Sequence, residues 1–308
     1  MRTWVLLTPG LTTADPTGPS RSSTKRVVIW NLPASITRLP TWYTRVEQGR
    51  FPRTGRKIYA VRRQFTFTQS EALRDHGILY ALSITGGRGE RLKPHTDTVA
   101  KAMTPINGRP ILEYQVRWMR SQGITDIVFL TGYLAETVRE HFGDGSAFGI
   151  RAHYSHEEQP LGRGGAIRQG LNIVPSDEKT VLVANGDTIT DLDLSLLTAI
   201  HRKRNAMATL MLTPYPSQFG LVHLGENDLV DEFAEKQPLP LWINAGIYLF
   251  DTNIQESLPE SGDHEISTFP LLAKEKRMAA LPTDAMWLTV DSAKDLREAS
   301  EILADWKF

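Results

Sequence analysis

The sequence predicts an α/β fold for residues 77–308, built on a mixed, mostly parallel sheet that is flanked by helices. Two observations predict it. Short apolar segments alternate with segments of helical periodicity, which is typical of βαβ units. The first apolar segment, ILYALSIT (78–85), also leads directly into the glycine-rich loop GGRGERL (86–92), as expected at the carboxyl end of a parallel strand.

The predicted elements follow that loop in a regular order. Asn107-Gly108 predicts a turn, Pro110 suits the first turn of a helix (110–122), and Gly123 can end it. Strands and helices then alternate as DIVFLT (126–131, strand), LAETVREHF (134–142, helix), IRAHYS (150–155, strand), AIRQGLNIV (166–174, helix), TVLVAN (180–185, strand), DLSLLTAIHRK (193–203, helix) and MATLMLT (207–213, strand).

The pattern changes toward the C-terminus. Three segments read as strands without helices between them, which predicts that the sheet becomes mixed: FGLVHL (219–224), LVDEFA (229–234) and WINAGIYLF (242–250). A last strand, WLTV (287–290), precedes a helix that Ser292 and Asp295 open with the spacing of a capping box.

Residues 1–76 differ from the rest in composition. The first 70 residues hold 12 Lys and Arg against 2 Asp and Glu, a net charge of +10, and show no sustained helical or strand period. We interpret residues 1–76 as a poorly ordered extension or as sequence added by a wrongly assigned start. A targeting segment and a docking arm stay open as alternatives.

The overall composition excludes several classes of site. The chain has no cysteine, which excludes disulfides, zinc–thiolate sites and cysteine nucleophiles. No apolar run approaches the roughly 20 residues that a membrane span needs. We therefore expect no membrane partner. The N-terminal segment also lacks the features of a clear nucleic-acid module, so we expect no nucleic-acid partner.

The glycine loop fits neither of two common phosphate-binding motifs. A dinucleotide fingerprint that started at Gly87 would need Gly or Ala at position 92, where Leu92 stands. A P-loop would need Lys-Ser or Lys-Thr after the glycines, and neither pair is there. Three glycines beside three cationic side chains still indicate a negatively charged ligand that approaches the backbone closely.

Eight ordered elements across residues 77–308 resemble the sugar-1-phosphate nucleotidyltransferases. They are GGRGERL (86–92), Lys101, EQPLGRGGA (158–166), ANGD (184–187), FG (219–220), EK (235–236), NAG (244–246) and WLTVDSAKDL (287–296). The resemblance implies a Rossmann-like fold of the nucleotide-diphospho-sugar transferase type. It also implies an enzyme that transfers a nucleotidyl group from an NTP to a sugar 1-phosphate and releases pyrophosphate.

The resemblance assigns catalytic roles to two cations. Arg91 resembles the arginine that binds the pyrophosphate, and Lys101 the lysine that neutralises charge near the reacting phosphate. The family usually flanks this lysine with prolines, whereas here the neighbours are Ala100 and Ala102. Backbone amides that bind the triphosphate are expected at Gly86, Gly87 and Gly89.

Magnesium is the cofactor that the resemblance implies. Asp187, directly after a predicted strand, resembles one of the metal ligands, and Mg²⁺ prefers one or two carboxylates together with substrate phosphates. The family's second metal aspartate stands two residues after the terminal tryptophan, a position that Thr289 occupies here. Because residues 289 and 291 of a strand share a face, we predict Asp291 as the substitute ligand.

The remaining site residues are expected on either side of the phosphates. Gln159 and Gly164 match the segment that reads the nucleotide base. Arg163 stands where the family more often has a small or hydroxyl residue, which leaves the base preference open. The sugar phosphate is expected to contact four residues, namely Gly220, Glu235, Lys236 and Asn244.

The resemblance favours a compact, cytoplasmic enzyme, and a mannose-1-phosphate guanylyltransferase-like activity is the first expectation. The short length after Lys236 leaves no room for an added β-helix domain. A phosphocholine cytidylyltransferase and a non-catalytic relative that binds nucleotide sugars stay open as alternatives, and so does a homo-oligomer. Ala100, Ala102 and Thr289 motivate the non-catalytic alternative.

Overall fold

The structure is a computed structural model that describes residues 77–217, 219–235, 237–304 and 306, together with four short N-terminal strands. The chain divides into two compact units, residues 1–69 and 70–308. No helix among the described residues is long and apolar enough to cross a membrane.

The N-terminal unit contains an antiparallel four-stranded sheet with the order β1-β2-β4-β3. Its strands are β1 (Val5–Leu7), β2 (Arg26–Ile29), β3 (Arg45–Arg50) and β4 (Lys57–Arg62). The division at residues 76 and 77, and the interpretation of the first segment as an extension, stay predictions.

A seven-stranded sheet forms the centre of the second unit, and its order is β16-β12-β15-β10-β5-β8-β9. Four of its six neighbouring pairs are parallel and the two that involve β15 are antiparallel. The strands are β5 (Tyr80–Ile84), β8 (Asp126–Thr131), β9 (Arg151–His156), β10 (Thr180–Asn185), β12 (Ala208–Pro216), β15 (Pro238–Asp251) and β16 (Met278–Pro282). The predicted mixed, mostly parallel sheet is confirmed.

Three two-stranded sheets complete the strands of this unit. They pair β6 (Pro105–Ile106) with β7 (Arg109–Pro110), β11 (Thr188–Thr190) with β17 (Trp287–Thr289), and β13 (Leu221–Leu224) with β14 (Val230–Ala234).

Helices flank the large sheet, as predicted. They are α1 (Ile111–Ser121), α2 (Ala135–Phe142), α3 (Gly162–Gly170), α4 (Leu194–Arg204), α5 (Thr268–Lys274) and α6 (Ala293–Ile302). The predicted cap of the last helix is confirmed, since the Ser292 side chain accepts a hydrogen bond from the Asp295 backbone N–H. The pattern did not predict α5, and β16 was also missed.

Helix α3 begins four residues before the predicted start, because the glycine turn is itself its first turn. No side chain caps this helix. The backbone carbonyl of Gly262 instead accepts from the N–H groups of Gly164 at 2.8 Å and Gly165 at 3.3 Å. A neighbouring loop thus satisfies amides that the start of a helix leaves without partners.

Candidate active site

The glycine loop turns sharply at the carboxyl end of β5. Gly89 has φ +62°, in the left-handed region that favours glycine, and it precedes the 3-10 helix Glu90–Leu92. A Cβ atom at this position would lie 2.8 Å from Thr96 Cγ2 and 3.0 Å from Lys101 Cβ. Gly89 therefore lets the loop pack closely against the segment that carries Lys101.

Lys101 joins the two aspartates that the sequence predicts as metal ligands. Its ammonium group donates to the carboxylate of Asp187 and, at 2.5 Å, to Asp291 Oδ1. The same Asp291 oxygen lies 3.0 Å from an Arg91 guanidinium nitrogen. Two carboxylates and two cations therefore meet at one point, although Asp187 and Asp291 are about a hundred residues apart in sequence.

Two short elements hold these aspartates. Thr188 pairs with Thr289 across β11 and β17, so the residues that flank the two strands are brought together. The backbone N–H of Asp291 donates to Asp295 Oδ2 at 3.1 Å, which ties this segment to the start of α6.

The two carboxylates dominate the electrostatics of Lys101. Burial by itself lowers the pKa of this ammonium group, because it penalises the charged form. The charge of Asp187 and the hydrogen bonds that Lys101 donates to both aspartates outweigh burial, so the net pKa is raised. Lys101 is therefore cationic at neutral pH.

A cleft of about 470 Å³ opens at this point. Six of the predicted site residues line it, and they are Gly86, Gly87, Arg91, Lys101, Asp187 and Asp291. Thr289, which stands at the family's usual metal position, also lines the cleft.

The predicted base-reading residues lie elsewhere. Gln159 is exposed and does not line the cleft. A Cβ atom at Gly164 would lie 2.8 Å from the backbone nitrogen of His264, so this glycine permits close packing of α3. Their roles in base recognition stay predictions.

Glu157 is the cleft residue that sequence reasoning missed. It follows β9 and lines the cleft, and its Oε2 atom accepts from the Leu161 backbone N–H at 2.9 Å. Its position in the sequence could have identified it, since it lies directly before the EQPLGRGGA segment, at the end of a predicted parallel strand.

Three of the four predicted sugar-side residues, Gly220, Glu235 and Asn244, do not line the cleft. Gly220 and Glu235 flank the β13–β14 hairpin, where the ring of Phe233 packs against Gly220. Lys236 lies outside the described residues. Asn244 lies on β15, and its amide nitrogen donates to Tyr248 Oη and to Glu265 Oε1, each at 2.8 Å.

The donor set at Asp187 and Asp291 fits magnesium. The two carboxylates already converge on one cation, the ammonium group of Lys101. No cluster of three or more His, Cys, Asp or Glu side chains suited to a metal occurs among the described residues. Two carboxylates match Mg²⁺, which completes its coordination with water and substrate phosphates, better than a metal held by protein ligands alone.

Comparison with known proteins identifies the family. Residues 80–305 match the family model described as nucleotidyl transferase. The chain belongs to this family. It is 36% identical over 198 residues to the mannose-1-phosphate guanylyltransferase of Mycobacterium tuberculosis. This match covers 62% of the chain and 55% of that relative. It is 37% identical over 180 residues to the D-glycero-alpha-D-manno-heptose 1-phosphate guanylyltransferase of Campylobacter jejuni. That match covers 57% of the chain and 77% of the relative.

A solved structure supports the fold. A putative glucose-1-phosphate thymidylyltransferase from Bacillus anthracis superposes with a TM-score of 0.61 at 22% identity, over 74% of this chain and 97% of that chain. The chain spans just over half the length of the mycobacterial relative.

Proposed function

We propose that this nucleotidyl transferase family member transfers a nucleotidyl group from an NTP to a sugar 1-phosphate, with Mg²⁺ as the cofactor. The convergence of Arg91, Lys101, Asp187 and Asp291 beside the glycine loop carries the proposal. A sugar-phosphate oxygen would attack the α-phosphorus of the NTP, and the bond to pyrophosphate would break. Such a reaction depends mainly on positioning and on neutralisation of charge.

The residues that line the cleft have different roles in this reaction. The backbone of Gly87 can approach a triphosphate closely, because a Cβ atom there would meet no other atom within 4 Å, whereas at Gly86 a Cβ atom would lie 3.0 Å from Glu157 Oε1. Arg91, with 76% of its side chain exposed, is free to turn toward the leaving pyrophosphate. Lys101, with 16% exposed, stays at the point where the carboxylates converge and neutralises charge on the reacting phosphate.

Asp187 and Asp291 would hold the magnesium ion. When bound, Mg²⁺ supplies positive charge to the phosphate oxygens. Both carboxylates are accessible from the cleft, with side-chain exposures of 21% and 33%.

Glu157 favours a guanine nucleotide. It directly follows β9, which is three strands from β10 across the sheet, a distance of about 14 Å at the usual strand spacing. A nucleotide whose phosphates lie at Asp187 can therefore place its base near Glu157. A carboxylate accepts hydrogen bonds, and guanine presents two neighbouring donor groups, N1–H and N2–H₂, on its Watson–Crick edge.

Pyrophosphate release by the full chain tests the function. Four NTPs are crossed with mannose 1-phosphate, a heptose 1-phosphate, glucose 1-phosphate and phosphocholine, with and without Mg²⁺. We expect release from GTP with a hexose or heptose 1-phosphate, dependent on Mg²⁺ and reduced at least about 100-fold in Asp187→Asn. Pyrophosphate release only when phosphocholine is the acceptor would establish the cytidylyltransferase alternative. Nucleotide binding without release from any pair would refute catalysis and favour the non-catalytic alternative.

Glu157→Gln tests the base assignment separately. Glutamine offers one acceptor and one donor, so it cannot accept from both guanine donors. We expect kcat/KM for GTP to fall roughly tenfold or more, with a smaller change for the other NTPs. An equal change for all four NTPs would show that Glu157 does not read the base.

A further inference from the structure

We propose that Gln115 is a positioning residue, whose side-chain amide holds the turn that carries Asp187 and thereby fixes the two aspartates at which a metal ion would bind. The inference rests on the proposed function and adds a residue to the support of its metal site. Gln115 does not line the cleft, so it acts on the substrates only through the backbone that it holds.

Gln115 is a polar residue in the apolar stripe of α1. Ile111, Trp118 and Met119 lie three or four residues from it on the same face of the helix, and all four side chains are buried. A buried amide is costly unless its donors and its acceptor have hydrogen-bond partners. The sequence therefore places at this position a group that needs polar partners in the elements packed against the helix.

Both hydrogens and the oxygen of this amide have such partners. The nitrogen donates to the backbone carbonyl of Asn185 at 2.7 Å and to that of Thr188 at 2.9 Å. The oxygen accepts from the hydroxyl of Ser83, a fully buried residue of β5, at 2.6 Å. Carbonyl oxygens can only accept, so the nitrogen of the amide must face them. Ser83 then fixes the amide from the opposite side.

The two carbonyls stand on either side of Asp187. Asn185 ends β10, Thr188 begins β11, and the turn between them is Gly186-Asp187. The backbone N–H of Gly186 donates to the Ile84 carbonyl at 2.9 Å, and a Cβ atom at Gly186 would lie 2.6 Å from that oxygen. The backbone around Asp187 is therefore fixed to α1 and to the end of β5, while Asp187 itself lines the cleft.

The same contact reaches the second aspartate. Thr188 pairs with Thr289 across β11 and β17, and Asp291 follows Thr289 by two residues. Loss of the amide would leave two carbonyls without a donor, and the turn would gain by moving until water satisfies them. Such a movement changes the distance between the two carboxylates, which Mg²⁺ tolerates poorly because it demands near-ideal octahedral geometry.

Calorimetric titration of full-length variants with GTP, in Mg²⁺ and in EDTA, tests the inference. Gln115→Met keeps an unbranched side chain and removes both donors. We expect this variant to bind GTP about tenfold more weakly than the wild type in Mg²⁺, but within about twofold of the wild type in EDTA. The Mg²⁺ concentration that half-saturates pyrophosphate release should rise by a similar factor. A residue that only stabilises the fold would change the two Kd values equally or not at all.

Ser83→Ala is the milder variant, and it keeps the test decisive if Gln115→Met does not fold. It removes the hydroxyl that orients the amide but leaves both contacts from Gln115 to the turn. We therefore expect a smaller loss of GTP affinity, again in Mg²⁺ and not in EDTA. Wild-type affinity in Mg²⁺ for every variant of this pair that folds would overturn the inference.

Trp118→Phe is the matched control. Trp118 lies one turn further along α1, is also buried, and donates from Nε1 to the Leu192 carbonyl at 2.9 Å. The substitution removes a hydrogen bond of the same kind, but at a carbonyl five residues past Asp187. We expect thermal unfolding to show a loss of stability in both Trp118→Phe and Gln115→Met, and only Gln115→Met to lose affinity that depends on Mg²⁺. The same loss in Trp118→Phe would overturn the inference.

Failure of the inference can be told apart from failure of the proposed function. A wild type that binds GTP more tightly in Mg²⁺ than in EDTA but releases no pyrophosphate refutes catalysis, and the titrations still decide the role of Gln115. If pyrophosphate release selects another NTP, that NTP replaces GTP in the titrations. A wild type whose nucleotide affinity does not depend on Mg²⁺ overturns the inference even where pyrophosphate is released.

Discussion

Stability of the second unit should depend on pH through one buried histidine. His264 is fully buried, and neither ring nitrogen has a hydrogen-bond partner among the described residues. Its ring lies in an aromatic cage, 4.8 Å from Phe269 and 5.5 Å from Tyr248, measured between ring centroids. Burial lowers the pKa of His264 from 6.5 to about 4, because the cage cannot solvate the imidazolium ion.

The direction and size of the effect follow from this shift. Between pH 6.5 and about 4 the unfolded chain binds a proton at this histidine and the folded protein does not, so stability falls as the pH falls. A shift of this size corresponds to about 3 kcal/mol in the free energy of unfolding below pH 4, and about 2 kcal/mol of that is already lost at pH 5. Above pH 7 the contribution is constant.

His264→Phe removes the titrating group and keeps an aromatic ring in the cage. Urea unfolding of the wild type and this variant at pH 7.5 and pH 5 measures the effect. We expect the variant to lose about 2 kcal/mol less than the wild type between the two pH values. His264→Leu guards against overpacking by the larger ring and should show the same reduced pH dependence. Parallel pH profiles for all three proteins would refute the reasoning.

Two further substitutions test the packing that supports the site. Gly89→Ala should lower stability by about 1–2 kcal/mol more than Gly108→Ala, because both have positive φ but only the methyl group at residue 89 would meet Lys101, at 3.0 Å; thermal unfolding measures the difference, and equal losses would contradict it. Arg151→Met should destabilise the protein, since fully buried Asp126 loses the guanidinium group that donates to both of its oxygens and keeps the hydrogen bonds with Thr125 and His153. Burial raises the pKa of Asp126, but hydrogen bonds, led by that from Arg151, lower it overall, so wild-type stability is lost only as the pH falls below about 3.8. The variant should unfold at a higher pH in an acid titration, and an unchanged acid midpoint would exclude this role.

The sequence predicted the fold well because its signals are local. Alternating periodicities indicated β5, α1 and β8, and Asn107-Gly108 indicated the turn between β6 and β7. Helix α5 was missed because it has only seven residues and begins with Thr268 and Phe269, which carry no strong helix signal. The early start of α3 depends on the carbonyl of Gly262, a tertiary contact that no local pattern contains.

The sequence predicted where some site residues lie better than it predicted which partners their side chains bind. Asp187 lies just after β10, so its position at the carboxyl edge of the sheet followed from the pattern, whereas Lys101 begins the 3-10 helix Lys101–Met103 and reaches Asp187 through a tertiary contact. Asn244 was expected to contact the sugar phosphate, yet its donors are taken by Tyr248 and Glu265. Those partners lie near in space through the register of β15 and the loop before α5, which a sequence motif does not encode.

The internal ion pairs of the cleft suggest why nucleotide and metal should bind together. Lys101 and Arg91 are paired with Asp187 and Asp291 inside the chain. A triphosphate alone would draw the cations away and leave two carboxylates unpaired beside phosphate oxygens, while a metal ion alone would have to displace the lysine ammonium. When both bind, each cation gains a phosphate partner and each carboxylate gains the metal. Partly exposed ion pairs contribute little stability by themselves, so this exchange of partners costs little.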